Sequence, residues 1–258
     1  MAEPILQIKK LNKSFGPVHV LQDVDFNVYP GEVSALVGDN GAGKSTLVKC
    51  IAGIYTIDNG EILWEGKPVT LNDPRAAAAL GIEFVYQDLA LADNLDITQN
   101  MFLGREIRRF GIMDDGSMEK KAREVLGSLG VRTVSSVRQV VASLSGGQRQ
   151  TVAIAKAVLW NSRVVFLDEP TAALGVAQTR QVLDLVRRLA DQGLGVVLIS
   201  HNMNDVMEVA DRVAALYLGK IAAEVMAKDS NTTQIVELIT AGRSGDIGLA
   251  AATADQII

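Results

Sequence analysis

A glycine-rich segment carries the clearest chemistry in this sequence. It reads Gly-Asp-Asn-Gly-Ala-Gly-Lys-Ser-Thr over residues 38–46, between an apolar run at 33–37 and helical spacing at 46–51. Glycines at this spacing turn backbone N–H groups inward around phosphates, and the start of the following helix favours anions. Lys44 is expected to reach the phosphate oxygens and Ser45 to ligate Mg²⁺. The predicted phosphate-binding residues are Gly38, Asp39, Asn40, Gly41, Ala42, Gly43, Lys44, Ser45 and Thr46.

Two adjacent acids follow another apolar run. Asp168 and Glu169 come directly after residues 164–167 and precede Pro170. Beside a phosphate loop, the first acid is suited to hold Mg²⁺ through water. The second is suited to polarise the water that attacks the terminal phosphate. Asp168 is therefore the predicted metal residue, and Glu169 is the predicted catalytic base.

A histidine follows a third apolar run, and it completes this set. His201 comes directly after residues 196–200. Ligands gather at the carboxyl ends of strands in open α/β sheets, so His201 is predicted to reach the same phosphate. Each of the three segments also has a purely structural alternative: an ordinary turn, a solvated strand end and a packed residue at a helix start. Their presence together in one chain favours the functional interpretation.

The elements that must position these residues alternate along the chain. Strand-like runs and helical patterns predict a layered α/β fold with a largely parallel sheet. Strands are predicted at 5–11, 33–37, 82–86, 164–167, 196–200 and 213–218, with hairpin strands at 62–65 and 220–225. Helical spacing at 118–129 and 148–160 predicts a helical insertion over 95–159, between core segments 1–94 and 160–240. A loosely packed, flexible tail is predicted over 241–258.

Composition narrows the class of protein. Of 258 residues 48% are apolar, which allows a substantial core, and a net charge of −5 disfavours nucleic acid as a partner. The start of the sequence lacks a secretory pattern, so an intracellular protein is expected. No apolar run is long enough to span a bilayer. The single cysteine, Cys50, excludes an internal disulfide and a multi-cysteine metal site.

One further segment points to a family. Leu144-Ser-Gly-Gly-Gln148 precedes a helical pattern, where Ser145 is suited both to cap the helix and to contact an anion. Lying between a phosphate loop and Leu-Asp-Glu-Pro, this segment resembles the signature of the ABC ATPase family. The resemblance covers roughly residues 5–225. It implies a P-loop NTPase (RecA-like) core with an antiparallel β edge and a helical ABC subdomain.

The resemblance also implies ligands, partners and residue roles. ATP and Mg²⁺ are the implied cofactors, and the chain is expected to hydrolyse ATP as a dimer with a second, identical subunit. The signature of one subunit then faces the phosphate loop of the other through Ser145, Gly146, Gly147 and Gln148. Phe15 falls where an aromatic ring stacks on adenine. Gln87 falls where a glutamine senses Mg²⁺ and the channel, and His201 where the switch histidine lies.

One segment departs from the family pattern. After Pro170 the family usually reads Ser-Ala-Leu-Asp, whereas this chain reads Ala-Ala-Leu-Gly over residues 172–175. The carboxylate absent at Gly175 normally helps to couple the two ATP sites. Symmetric cooperation between the sites is therefore not implied, whereas the residues expected to perform the chemistry are intact.

The local sequence resembles the ATPases of monosaccharide importers of the ribose, xylose and fructose type. Residues 39–44, 85–90, 100–106 and 199–203 carry this likeness, in a chain with a single ATPase unit. It implies transmembrane permease subunits, an indirect role for a sugar-binding protein, and a peripheral position on the cytoplasmic side of the membrane. A non-transport ABC switch on DNA or ribosomes is the alternative, but the chain lacks the usual coiled-coil insertion or charged linker. A P-loop kinase would leave residues 144–148 unexplained.

Overall fold

The structure, a computed structural model, describes residues 3–131, 134 and 136–249. Its strands are β1 (Leu6–Phe15), β2 (Val18–Val28), β3 (Val33–Val37), β4 (Asn59–Trp64), β5 (Lys67–Val69), β6 (Ile82–Val85), β7 (Arg108–Arg109), β8 (Ile112–Met113), β9 (Val164–Asp168), β10 (Gly195–Ile199), β11 (Arg212–Tyr217), β12 (Lys220–Met226), β13 (Arg243–Ser244) and β14 (Ile247–Gly248). Its α-helices are α1 (Lys44–Ile51), α2 (Pro74–Ala79), α3 (Ile97–Phe102), α4 (Asp115–Ser128), α5 (Gly146–Val158), α6 (Val176–Asp191), α7 (Met203–Val209) and α8 (Thr232–Ala241).

Six strands form the central sheet, in the order β12-β11-β3-β10-β9-β6. All neighbouring pairs are parallel except β11 and β12, which form an antiparallel hairpin at one edge. Every residue of β3 and β10 is buried, as expected for strands that are covered on both faces. The segments that follow β3, β9 and β10 therefore meet at one edge of the sheet. The predicted α/β fold with a largely parallel sheet is confirmed.

Four other strands form an antiparallel sheet, in the order β2-β1-β4-β5. Its inward-facing side chains share a core with α1 and with part of the central sheet. The sequence pattern predicts parts of β1 and β4 but not β2. The apolar alternation of β2 breaks between Leu21 and Val24, where its pairing with β1 shifts register and Asp23 takes a positive φ of 47°. This bulge conceals the strand from a period-two pattern.

Three helices, α3, α4 and α5, lie between β6 and β9 and correspond to the predicted helical segment. Their buried side chains join the central sheet in one apolar core. Within it, the Phe102 ring meets the Trp160 ring edge to face, with 5.6 Å between centroids. The hairpin of β7 and β8 in this segment was not predicted. In the described part of the chain, no helix is both long enough and apolar enough to cross a bilayer.

The segment after α8 corrects one prediction. The sequence predicts a loose tail from residue 241, but β13 pairs with β14, and Ser244 is buried. Gly242 ends α8 in the left-handed conformation, with φ 73°, and turns the chain back. The Leu249 N–H then donates to the Gly242 carbonyl at 2.8 Å. Backbone hydrogen bonds therefore fix residues 242–249 despite their small, polar composition, and residues 250–258 lie outside the described residues.

A buried asparagine fixes the segment that links the central sheet to α3. Asn100 is fully buried, and its Oδ1 accepts from the Ala92 N–H at 2.7 Å. Its Nδ2 donates to the carbonyls of Ala92, Leu95 and Asp96 at 2.9, 3.3 and 3.1 Å. One side chain thus satisfies several backbone groups of a loop that has no regular structure of its own.

Replacement of Asn100 with Ala should therefore destabilise the protein. The loss leaves backbone groups of the loop without partners, and we expect the free energy of unfolding to fall by about 2–4 kcal/mol. Urea unfolding measures this change. Asn204→Ala, at an exposed asparagine, is the matched control and should change stability by less than about 0.5 kcal/mol. Equal stability of the two variants would contradict the role given to Asn100.

Candidate functional site

The glycine-rich loop connects β3 to α1 at the carboxyl edge of the central sheet. Gly43 stands at the N-cap of α1 in a left-handed conformation, with φ 110°. A Cβ at this position would lie 2.8 Å from Leu21 Cδ2, so glycine is required by both conformation and space. The first N–H groups of α1 have no partners within the helix. The loop therefore presents backbone donors and the positive end of a helix dipole, the arrangement that binds phosphate.

Lys44 begins α1 and folds its ammonium group back over the loop. The Lys44 Nζ donates to the carbonyls of Gly38 at 2.6 Å and Asp39 at 3.0 Å. Burial lowers the pKa of Lys44, and the negative charges of Glu169, Asp39 and Asp168 oppose this effect. The lysine is thus a partly desolvated cation, held by weak neutral acceptors and close to acids.

The two predicted acids lie where β9 ends. Asp168 is the last residue of β9, and Glu169 follows in a left-handed conformation with φ 50°. The Glu169 N–H donates to the carbonyl of Ile199, the last residue of β10, at 2.9 Å. A second hydrogen bond fixes this turn: Thr171 Oγ1 donates to the buried carboxylate of Asp205, in α7, at 2.6 Å. The backbone of Glu169 is therefore held by β10, and the loop that follows it is held by α7.

His201 lies beside Glu169, as its place after β10 predicts. His201 Nδ1 and Glu169 Oε1 are 2.8 Å apart and share a hydrogen bond. The imidazole is 73% exposed, whereas the Glu169 side chain is 16% exposed. The histidine thus faces outward from the strand edge and holds a largely covered carboxylate in one orientation.

A polar cavity of about 400 Å³ brings Lys44, Asp168 and Glu169 together, and His201 lies outside its lining. Burial raises the pKa of Asp168, as does the neighbouring Glu169, whereas Lys44 and Lys49 lower it. Ser45, Gln87 and Asp168, all in this lining, supply a hydroxyl, an amide and a carboxylate oxygen, a donor set that suits Mg²⁺. The lining residues are Val20, Asn40, Gly41, Gly43, Lys44, Ser45, Thr46, Gln87, Asp168 and Glu169.

Phe15, predicted to stack on a base, lies outside this lining. It ends β1, is 44% exposed, and meets the Tyr55 ring edge to face with 5.1 Å between centroids. The Lys13 Nζ is 5.3 Å from the centre of the Phe15 ring. One apolar surface is therefore available at the end of the antiparallel sheet, and the role of Phe15 stays a prediction.

The predicted signature segment lies apart from the cavity of its own chain. Ser145 caps α5: its Oγ accepts from the Gln148 N–H at 3.3 Å, and Gln148 Oε1 accepts from the Ser145 N–H at 2.8 Å. Close packing explains the two glycines, since a Cβ at Gly146 or Gly147 would lie 3.1 Å from Leu174 or Gln178. The expected cap is confirmed. None of residues 145–148 lines the 400 Å³ cavity.

Residues 172–175, where the sequence departs from the family pattern, form the loop before α6. Ala173 has φ 60°, and Gly175 is the N-cap of α6 without any side chain to bond the helix start. The next residue, Val176, is 84% exposed. The carboxylate of the family pattern is thus absent at Gly175, and an exposed apolar side chain follows it.

Sequence reasoning missed two residues that shape the site. Val20 lines the cavity from β2, the strand whose bulge hid it. Asp205 anchors the loop after Glu169 from α7, 34 positions away from its partner Thr171. A buried acid in a helical pattern is a weak signal of such a contact, because only the fold brings the pair together.

Comparisons with known proteins agree with this geometry. The family described as ABC transporter matches residues 21–172, more than half of the chain. The fructose import ATP-binding protein FrcA of Rhizobium meliloti is 49% identical, over 93% of this chain and 95% of its own length. The xylose/arabinose import ATP-binding protein XylG of Sulfolobus acidocaldarius is 44% identical, with coverages of 95% and 97%. A ribose import ATP-binding protein of Rubrobacter xylanophilus is 44% identical, and this chain spans 48% of its length.

Solved structures give the same result. A nucleotide-free ATP-binding cassette from an ABC transporter superposes with a TM-score of 0.78 at 25% identity, covering 87% of this chain and 92% of its own. A bacterial ABC transporter cassette solved as a dimer superposes with a TM-score of 0.72 at 26% identity, covering 86% and 98%. With the phosphate loop, strand-end acids and signature cap in place, this chain belongs to the ABC transporter family.

Proposed function

We propose that this chain is the ATP-binding and ATP-hydrolysing subunit of an ABC importer that powers uptake of a monosaccharide. The observation that carries the proposal is the 400 Å³ cavity, which joins the phosphate loop to Gln87, Asp168 and Glu169. The sugar class rests on relatives of nearly equal length, which are named as fructose and xylose/arabinose import proteins. The sugar itself would be bound by other subunits.

The positions of the residues suggest their roles in hydrolysis. The loop N–H groups and Lys44 bind the β- and γ-phosphates, and Phe15 offers its ring to adenine. Ser45, Gln87 and Asp168 would hold Mg²⁺, which neutralises phosphate charge when bound. Glu169 accepts a proton from the attacking water, and His201 holds the Glu169 carboxylate through its 2.8 Å hydrogen bond.

Replacement of Glu169 with Gln should separate binding from turnover. The amide keeps the shape of the side chain but does not accept the proton, so kcat should fall by roughly 10²–10⁴-fold while ATP affinity stays within about threefold. Phosphate release and equilibrium binding of labelled ATP measure the two quantities. Glu208→Gln, at an exposed glutamate of α7, is the control. Wild-type turnover in Glu169→Gln would remove this residue from catalysis.

The signature cap supports a head-to-tail dimer as the working form. Ser145 and the glycines after it form a helix start suited to phosphate, yet they line none of their own chain's cavity. A second copy related by a two-fold axis would bring each signature to the other copy's phosphate loop. The relative solved as a dimer supports this arrangement.

Mixing two inactive variants tests this dimer. Lys44→Ala disables the phosphate loop, and Ser145→Arg disables the signature. In a mixed dimer both defects fall in one site, which leaves the other site intact. Half of the dimers are mixed, so independent sites should restore about a quarter of wild-type turnover. Independence is expected because Gly175 lacks the coupling carboxylate. Each variant alone is the control, and a mixture as inactive as its components would contradict the arrangement.

A groove beside the site supports permease subunits as partners. It has a volume of about 300 Å³ and runs from the end of β6 to α5 and Trp160. Lys156 lines it. Burial and the charge of Arg105 lower the pKa of Lys156, and the charge of Glu83, in the same groove, opposes this effect. Among the described residues its ammonium has no hydrogen bond or ion pair. An acidic residue on a cytoplasmic segment of the permease would supply the missing partner and place this subunit on the cytoplasmic side of the membrane.

Replacement of Lys156 with Met should uncouple hydrolysis from the permease. In transporters reconstituted with permease and sugar-binding protein, we expect sugar-stimulated hydrolysis to fall by about tenfold because a buried charge pair is lost. Basal hydrolysis by the isolated subunit should be unchanged. Lys228→Met, at an exposed lysine, is the control.

The same reconstituted wild-type transporter tests the sugar class. Fructose, xylose, arabinose and ribose are added in turn, and stimulation by none of these sugars would contradict monosaccharide import.

A further inference from the structure

A small hairpin outside the nucleotide site exposes an unusual amount of apolar surface. We call residues 108–113, which are β7, β8 and the two residues between them, the hairpin tip. Phe110 is 93% exposed, Ile112 75% and Met113 56%. The two strands pair with each other and with no other described strand. Three large apolar side chains thus stand in solvent on a structure too small to bury them.

The turn of the hairpin tip aims its aromatic ring away from the protein. Phe110 and Gly111 both have positive φ, 54° and 83°, as in the tight turns that favour Asn or Gly at the first position. A phenylalanine here is strained, and its one described ring contact is the Arg109 guanidinium, 5.7 Å from the ring centre. At 93% exposure, the ring gains too little packing against the described residues to offset this cost.

Charge is arranged in two layers on this hairpin. Across the strands Arg109 pairs with Ile112 and Arg108 with Met113, so each guanidinium stem lies beside an apolar side chain. The acids lie at the base. Glu106 accepts from the Gly104 N–H at 2.9 Å and lies 3.8 Å from Arg108, and Asp114 accepts from the Ser117 N–H at 3.0 Å. The tip is therefore apolar and cationic, whereas two acids of the base, Glu106 and Asp114, are bonded within the chain and a third, Asp115, is exposed.

We propose that the hairpin tip inserts into the surface of an anionic lipid bilayer. Phe110, Ile112 and Met113 would enter the boundary between headgroups and acyl chains, and Arg108 and Arg109 would pair with lipid phosphates. This contact would attach the subunit to the membrane beside its permease. It lies outside the nucleotide cavity, so it stands or falls independently of the proposed hydrolysis.

The size of the hairpin tip favours lipid over a protein partner. A stable protein interface buries about 800 Å² on each side, far more than three side chains on a two-residue ladder offer. Partial insertion of one aromatic and two aliphatic side chains suits a weak, reversible membrane contact. The net charge of −5 makes general electrostatic attraction to anionic lipid unfavourable, so a local cationic tip is needed.

Vesicle sedimentation of the full-length protein tests the proposal. We expect binding to phosphatidylcholine vesicles that contain about 30% phosphatidylglycerol, and weaker binding to phosphatidylcholine alone. Phe110→Ser should weaken binding to the anionic vesicles by about tenfold, because the most exposed of the three inserted apolar side chains is lost. Arg109→Gln should weaken it by roughly fivefold, without an effect on neutral vesicles.

The chain offers a matched control in another hairpin. Leu218 precedes Gly219 in the turn of β11 and β12, has φ 45° and is 69% exposed, and a single lysine, Lys220, stands near it in place of two arginines. Leu218→Ser should bind vesicles as the wild type does. Thermal unfolding of Phe110→Ser should match the wild type, which excludes loss of the fold. The proposal would be overturned if the wild type did not bind the anionic vesicles, or if Phe110→Ser bound them as strongly as the wild type does. A wild type that binds no anionic vesicles, together with a Phe110→Ser variant that loses permease stimulation, would assign the tip to a protein partner and overturn the proposal as well.

Discussion

The parallel pairing of β10 with β3 on one side and β9 on the other is the constraint on which the site depends. In this register Ile199 lies opposite both Leu36 and Asp168. The glycine loop, the two acids and His201 each begin within a residue or two of these paired positions. Three segments that are far apart in the sequence therefore lie side by side at one edge of the sheet. The Glu169 N–H then bonds to Ile199, which ties the turn after β9 to the neighbouring strand. A slip of either strand would separate Lys44 from Glu169.

Burial of charged side chains shifts the pKa values of the groups at the carboxyl edge of the central sheet. Burial acts on Lys44 and Asp168 in opposite directions, lowering the pKa of the lysine and raising that of the acid, while each group's charge partly restores the ionised form of the other. Such a site holds charge at a cost and is stabilised when further opposite charges enter it. Phosphate oxygens beside Lys44 and a divalent cation beside Asp168 would meet that requirement together.

Sequence reasoning predicted the parts of this site that have local signals. The glycine loop, Asp168, Glu169 and His201 each follow a continuous apolar run, and the structure brings them together because buried parallel strands have that pattern. It failed where the signal depends on contacts between distant residues. The bulge near Asp23 interrupts the apolar alternation of β2, so neither this strand nor Val20 was predicted. The hydrogen bond between Thr171 and Asp205 joins residues 34 positions apart, and no sequence pattern indicates it. The ordered segment at 242–249 was missed because its bonds are made by the backbone, which composition does not show.

The central claim is that Mg·ATP is held in the 400 Å³ cavity and is closed by the signature of a second copy. A crystal structure of the wild-type protein with Mg²⁺ and a non-hydrolysable ATP analogue tests it most directly. We expect the γ-phosphate within hydrogen-bonding distance of Lys44 Nζ and of Ser145 from the second copy, with the cation beside Ser45 and Asp168. An analogue bound elsewhere, or bound with its phosphates turned away from residues 38–46, would contradict the claim.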